Sequence, residues 1–239
     1  MSLADDVSSD LQSLHDDWIH KKIDLESKDV PDPSAMGYSD SYLLPATYLY
    51  TDMIDSSTLA AVARKEETAS VITTFLKMSV RIMRGSTGHI RSFDGDRVMA
   101  IFAGPDRQSR AVRAALRIRH SIDVDLNNEV QAAFPSIKKS GWSLKSMSGI
   151  ATGEALLVRA GIRNNSDLVS IGLAPNLAAK LSDLREGSTA RIAIGAGTYK
   201  QLNKNELETD GVDMWKGPKE IPVGGKNYPF YTCSWKSPL

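Results

Sequence analysis

The sequence has almost no cysteine: Cys233 stands alone among 239 residues, which excludes an internal disulfide framework and suits a reducing compartment. It has no excess of either charge, with 29 Lys and Arg against 29 Asp and Glu. No broad surface for nucleic acid is therefore expected, although a local basic site for phosphates stays open. No apolar run approaches the roughly 18 residues of a membrane span, and the acidic opening is unlike a signal peptide. A cytoplasmic protein with no membrane partner is expected. Internal repeats and low-complexity tracts are missing as well. What is present, 41% hydrophobic and 24% charged residues, is ordinary for a globular chain long enough to bury a sizeable core.

The most informative stretch is Arg91-Ser92-Phe93-Asp94-Gly95-Asp96-Arg97-Val98-Met99-Ala100-Ile101-Phe102. It reads as two strands joined by a tight Asp-Gly turn, because such a turn needs positive φ and Gly supplies it at little cost. Asp94 and Asp96 flank the turn, so the hairpin tip carries two carboxylates. Asp is also simply a good turn residue, and that reading stays open for the hairpin alone. Upstream, Tyr48-Leu49-Tyr50-Thr51-Asp52-Met53 has the β-branched and aromatic content of a strand. Asp52 lies near its end, just before Asp55-Ser56-Ser57-Thr58, a cluster of helix N-caps. If the two strands are neighbours their carboxylates converge, which is what a pair of hard divalent cations around a triphosphate would need.

These residues resemble the class III nucleotide cyclases. Asp52-Met53 looks like the family's first metal site, and Gly95-Asp96 like the hairpin tip that supplies its second metal ligand. Ser148-Gly149-Ile150-Ala151-Thr152-Gly153 is similar to the family's Gly-x-x-x-Gly strand pair. Ile171 to Leu181 is similar to its helix with the Asn-x-x-x-Arg signature, here Asn176 and Lys180. The four motifs occur in the family's order across roughly residues 46 to 235.

The resemblance implies an α+β, ferredoxin-like catalytic domain with a central antiparallel sheet over 46–239, preceded by an N-terminal helix and connector over 1–45. It implies two divalent metal ions, Mn²⁺ or Mg²⁺, on Asp52, Asp96 and the backbone carbonyl of Met53. Asn176 would position the ribose, and Lys180 would stabilise charge on the α-phosphate, as a point charge without the bidentate fork of an Arg. Lys226, in Gly224-Gly225-Lys226, is offset from the position of a triphosphate-binding Lys. Metal carboxylates come from one protomer and the Asn/Lys pair from the other, so a homodimer with composite sites is implied.

Purine-specific members carry a Lys and an Asp where this chain has Ser92 and Val169, so neither position can read a purine by charge. Asp94 would accept from uracil N3–H or from the cytosine amino group, and the bulk of Tyr50 would leave room for one ring. Tyr50 could equally be a core strand aromatic. Arg-Ser-Phe-Asp-Gly-Asp-Arg with an upstream Tyr resembles the bacterial pyrimidine cyclases of Pycsar anti-phage defence. That resemblance implies UTP converted to 3′,5′-cyclic UMP and pyrophosphate, a message for a separate effector protein. A cytidylate cyclase acting on CTP and a non-catalytic nucleotide-binding regulator are the alternatives. A diguanylate cyclase is disfavoured because its own hairpin motif is replaced here by Phe-Asp-Gly-Asp-Arg.

Elsewhere the spacing of Leu11, Leu14, Trp18 and Ile19 predicts an amphipathic helix within 2–29, halted by Pro31 and Pro33. It would cap the core or the dimer, or else dock a partner. Residues 30–46 read as a connector, Ser56 to Arg84 as one long helix, Arg107 to Asn128 as a second, and 134–140 as a connector. The basic run Arg107, Arg110, Arg113, Arg117 and Arg119 reads as a solvated helix face. Ser143–Ala151 and Glu154–Arg159 read as two strands joined through Thr152-Gly153, followed by a polar loop over 161–167. A short strand then runs from Leu168 to Ile171. Arg191–Ile194 is a further strand with a short helix after it, and 214–215 with 228–235 close the sheet.

Overall fold

The computed structural model describes residues 2–16, 22–25, 29–185 and 189–239. Helix α1, Leu3–Asp16, leaves Leu3, Val7 and Leu11 exposed. Trp18 and Ile19 lie outside the described residues. Strand β1, Lys22–Leu25, runs parallel to the first residues of β2, Asp40–Ile54. β2 thus begins inside the stretch read as a connector. Pro45 is tolerated in this central strand because it falls between the β1 ladder, which ends at Leu43, and the β4 ladder, which begins at Thr47.

The helix expected from Ser56 to Arg84 is two helices, α2 (Ser56–Val62) and α3 (Lys65–Gly85). Arg64 between them is extended, and its N–H donates to Glu67 Oε2 at 2.9 Å. That bond caps a new helix three residues in, instead of letting the first continue. Strands β3 (His89–Asp94) and β4 (Arg97–Phe102) form the expected hairpin. Its two-residue tip is Gly95-Asp96 rather than Asp-Gly, with positive φ at Gly95. Glycine as the first of two tip residues matches the chemistry of a type II′ turn.

α4 (Arg107–His120) passes through a π-helical turn at Ser121–Leu126 into α5 (Asn127–Ala133), and α6 (Pro135–Ser140) replaces the expected connector. The basic run on α4 is only partly solvated. Its five arginines are intermediate in exposure, and Arg113, its side chain 42% exposed, pairs at 2.8 Å with the buried Glu206. A buried carboxylate needs such a partner, and the tertiary fold supplies it.

β5 is one continuous strand, Lys145–Ile162, where two were expected, and it turns into β6, Asn165–Ile171, through the stretch read as a loop. α7 (Leu173–Ser182), β7 (Ile192–Gly195), α8 (Ala196–Tyr199), α9 (Lys204–Leu207), the two-residue strands β8 (Glu208–Thr209) and β9 (Val212–Asp213), β10 (Trp215–Val223) and β11 (Lys226–Cys233) complete the chain.

The main sheet runs β10-β11-β7-β5-β2-β4-β3, with β1 added to β2 and β6 added to β5. It is antiparallel except where β5 meets β7 and β1 meets β2, which makes the architecture α+β around a largely antiparallel sheet, as the sequence implied. One face carries α2 to α6, packed through Leu59, Phe75, Met83, Val112, Ile118 and Ile137 on Leu49 and Met53. The other face carries α7, packed through Ala174, Leu177, Ala178 and Leu181 around Tyr48, Met99 and Met147. Alternation along β2 therefore turns Tyr48, Tyr50 and Asp52 toward the α7 face. Among the described residues no helix is long and apolar enough to cross a membrane.

Candidate active site

The register of three strands gathers the candidate residues. Tyr50 pairs with Met99 and Met99 with Ser92; one step on, Asp52 pairs with Arg97 and Arg97 with Asp94. Side chains of a cross-strand row share a face, so Tyr50, Ser92, Asp52 and Asp94 all lie on the α7 face of the sheet. Each row spans three adjacent strands, placing Asp94 about 10 Å from Asp52 across the sheet. Asp96 projects from the tip beside them, close enough that its charge acts on Asp52.

Asp52 is 5% exposed. Arg185 donates from Nη2 to its Oδ2 at 2.6 Å, and Arg97 Nε stands 3.8 Å from its Oδ1. Burial pushes the Asp52 carboxyl above the ordinary carboxylate range, with the Asp96 charge adding to the rise; the Arg185 hydrogen bond and the Arg97 charge hold it back. Arg97 also donates from Nη2 to Asp183 Oδ1 at 2.9 Å, fastening the end of α7 to the hairpin. Asp96 Oδ2 is buried and has no hydrogen-bond partner. Buried carboxylate oxygens are normally satisfied, and one left open next to a second acid suits a cation. Among the described residues no cluster of three or more His, Cys, Asp or Glu converges, so the donor set is this pair of carboxylates plus backbone. Met53 is buried, and the β2–β4 ladder stops at the Asp52–Arg97 pair, so Met53 has no ladder partner on the β4 side.

Gly149 seats α7. A Cβ there would stand 2.1 Å from Ala178 O and 2.3 Å from Ser182 N, and one at Gly153 would touch Ala174 Cβ at 3.3 Å. The two glycines let the helix backbone lie directly on β5, with its N-terminus over Gly153 and its C-terminus by Gly149. Ala174, Leu177, Ala178 and Leu181 face the sheet, and Asn176 and Lys180 share the exposed outer face. Asp52 therefore lies beneath the helix end, whereas Asn176 and Lys180 of the same chain point away from it.

Lys226 is also remote from the Asp52 of its own chain. Cys233, Ile192, Ser148 and Thr51 form one cross-sheet row, and Lys226 lies seven residues, about 23 Å of strand, beyond Cys233. It shares the end of the sheet where α7 begins, so it groups with Asn176 rather than with Asp52.

Arg97, Asp183 and Arg185 were not singled out by sequence. Arg97 had a local signal, since it follows the acidic tip directly. Asp183 and Arg185 had none; they reach Arg97 and Asp52 from 86 and 133 residues away in sequence.

Comparison with known proteins finds relatives over the full length of the chain. A uridylate cyclase of Rhodovulum sp. (strain MB263) is 35% identical, the match covering 100% of this chain and 99% of that protein. A uridylate cyclase of Burkholderia cepacia is 33% identical over 99% of both. Among solved structures, a bacterial light-regulated adenylyl cyclase superposes with a TM-score of 0.68 at 22% identity, covering 82% of this chain and 53% of that longer one. The guanylyl cyclase Cya2 superposes with a TM-score of 0.66 at 17% identity, covering 82% and 94%. No family model matches the chain.

Proposed function

The chain belongs to the uridylate cyclase family, and from that premise we propose how its residues close UTP to 3′,5′-cyclic UMP with release of pyrophosphate. The observation that carries the site reading is the pair of cross-strand rows that set Tyr50 and Ser92 one step from Asp52 and Asp94, beside the open oxygen of Asp96. In the reaction the ribose 3′-oxygen bonds to the α-phosphorus as the bond to the β-phosphate oxygen breaks, and the 3′-hydroxyl proton leaves. Asp52, Asp96 and the carbonyl of Met53 would hold two divalent ions, Mn²⁺ or Mg²⁺, which supply the charge that acidifies the 3′-hydroxyl and offsets the triphosphate.

A second copy of the chain supplies the remaining groups. The outward face of α7 would present its Asn176 amide to the ribose and its Lys180 ammonium to the α-phosphate of the partner's site, with Lys226 toward the triphosphate. Exposed Ile162, Val169, Ile171 and Leu173 run along the β5–β6 arm into the start of α7, and a homodimer would bury this stripe beside Asn176. Asp94 would accept from uracil N3–H, Ser92 leaves that wall uncharged, and the half-buried Tyr50 limits the pocket to one ring. Release of cyclic UMP to a separate effector protein, in anti-phage defence, is the role that fits the motif resemblance.

The test is incubation with each of the four nucleoside triphosphates and Mn²⁺ or Mg²⁺, with product identified by mass spectrometry. Cyclic UMP should dominate, and Asp52→Ala or Asp96→Ala should abolish it while leaving the dimer intact. Cyclic CMP as main product would make the chain a cytidylate cyclase. No cyclic product from any triphosphate would make it a nucleotide-binding regulator.

A further inference from the structure

Arg185 makes bonds in two directions. Its Nη2 donates to Asp52 Oδ2 at 2.6 Å, while its Nη1 donates to Ser182 O at 2.9 Å and Leu184 O at 3.3 Å. The second set satisfies the Ser182 carbonyl in the last turn of α7, which the helix itself leaves open, and the Leu184 carbonyl just beyond the helix. One guanidinium thus ties the carboxylate to the helix. The other acids nearby are Asp183, bonded to Arg97, and Asp96, whose Oδ2 has no partner.

We propose that Arg185 is a latch between the Asp52 carboxylate and the end of α7: it holds an Asp52 oxygen in the absence of metal, and gives it up when a divalent cation binds. The inference rests on the reading of Asp52 as a metal carboxylate. A divalent cation drawn to the same carboxylate meets the positive charge of a guanidinium already bonded to it at 2.6 Å, and the two cations repel, so each weakens the other's binding to Asp52. The Arg185 side chain is 41% exposed and the Asp52 side chain is buried, so the pair is held firmly enough to compete yet open enough to exchange. Because the same side chain caps α7, exchange at Asp52 loosens the end of the helix that carries Asn176 and Lys180. In a dimer with composite sites those two residues serve the other active site. Cation occupancy at one site is thereby linked to helix placement at the second, and such coupling is reciprocal.

The test is direct binding of Mn²⁺, followed by electron paramagnetic resonance on the nucleotide-free full chain, for wild type, Arg185→Gln and Arg185→Lys. Hydrogen exchange of peptides covering 181–185 is measured alongside, with and without Mn²⁺. Removing the competing pair should tighten Mn²⁺ binding about fivefold in Arg185→Gln, with Arg185→Lys between it and wild type. Mn²⁺ should speed exchange at 181–185 in wild type, and in Arg185→Gln exchange should be fast from the start and insensitive to metal. Equal or weaker Mn²⁺ binding by Arg185→Gln, or wild-type exchange unchanged by metal, would overturn the latch while leaving the metal site standing. Failure of wild type to bind Mn²⁺ would remove the metal site itself, and the latch with it.

Discussion

Asp52 and Arg97 face each other in register across β2 and β4, yet their nearest charged atoms stand 3.8 Å apart and share no hydrogen bond. Arg97 spends its short bond on Asp183 instead, at 2.9 Å. The Asp52 carboxylate thus has cationic neighbours that do not fully satisfy it, the condition of a group able to take another cation.

That balance predicts a pH response. The Asp52 carboxyl is raised by burial from the ordinary value of 3.8, so proton competition should begin to weaken Mn²⁺ binding above the range expected for an exposed Asp. The sign for stability is opposite. A raised folded value favours the fold below the unfolded value, and that contribution is lost as pH rises through the folded one. Metal-free Asp52→Asn should therefore gain stability relative to wild type as pH rises through this window. Denaturant melts at stepped pH check it, and a difference that does not change with pH would refute the assignment.

The division of labour between protomers predicts complementation. Asp52→Ala and Asn176→Ala homodimers should each be inactive. Equal mixing with subunit exchange yields half heterodimers, each with one intact site of two, so activity should return to about a quarter of wild type. Recovery measured after co-refolding checks this, and no recovery would mean that each site draws both residues from a single chain.

Gly149→Ala should be among the most damaging small changes in the chain. The new methyl would stand 2.1 Å from a carbonyl oxygen and 2.3 Å from an amide nitrogen of α7, and neither is the end of a flexible side chain. Overpacking of this kind costs about 3 kcal/mol or more, a Tm fall of roughly 6–12 °C for a chain of this size. Calorimetry would detect it. An unchanged Tm would mean that α7 does not rest on β5 as described.

Tyr50→Ala should relax base selection. Its ring is partly buried on the α7 face, one row from Asp52. With that bulk removed, the preference for UTP over ATP, as the ratio of kcat/KM values, should fall by about tenfold. A preference that stays the same would assign the ring to the core alone.

By itself the sequence determined the elements that local chemistry specifies. Gly95 between acidic residues dictated a hairpin tip, aromatic and β-branched content dictated the strand leading to Asp52, and the four-residue spacing of Asn176 and Lys180 put them on one helix face. It misjudged lengths where local signals mislead. Gly153 looked like a break, yet it lies inside an 18-residue strand, because its missing side chain makes room for a helix rather than a turn. The arginines of α4 looked wholly solvated because the sequence near them gives no hint of Glu206. Only the tertiary structure decided which groups surround Asp52. Arg185 and Asp183 arrive from the far end of α7, and what brings them there is close backbone packing on Gly149. Contacts formed across so many residues depend on how layers of the fold meet, and no periodicity along the chain records that.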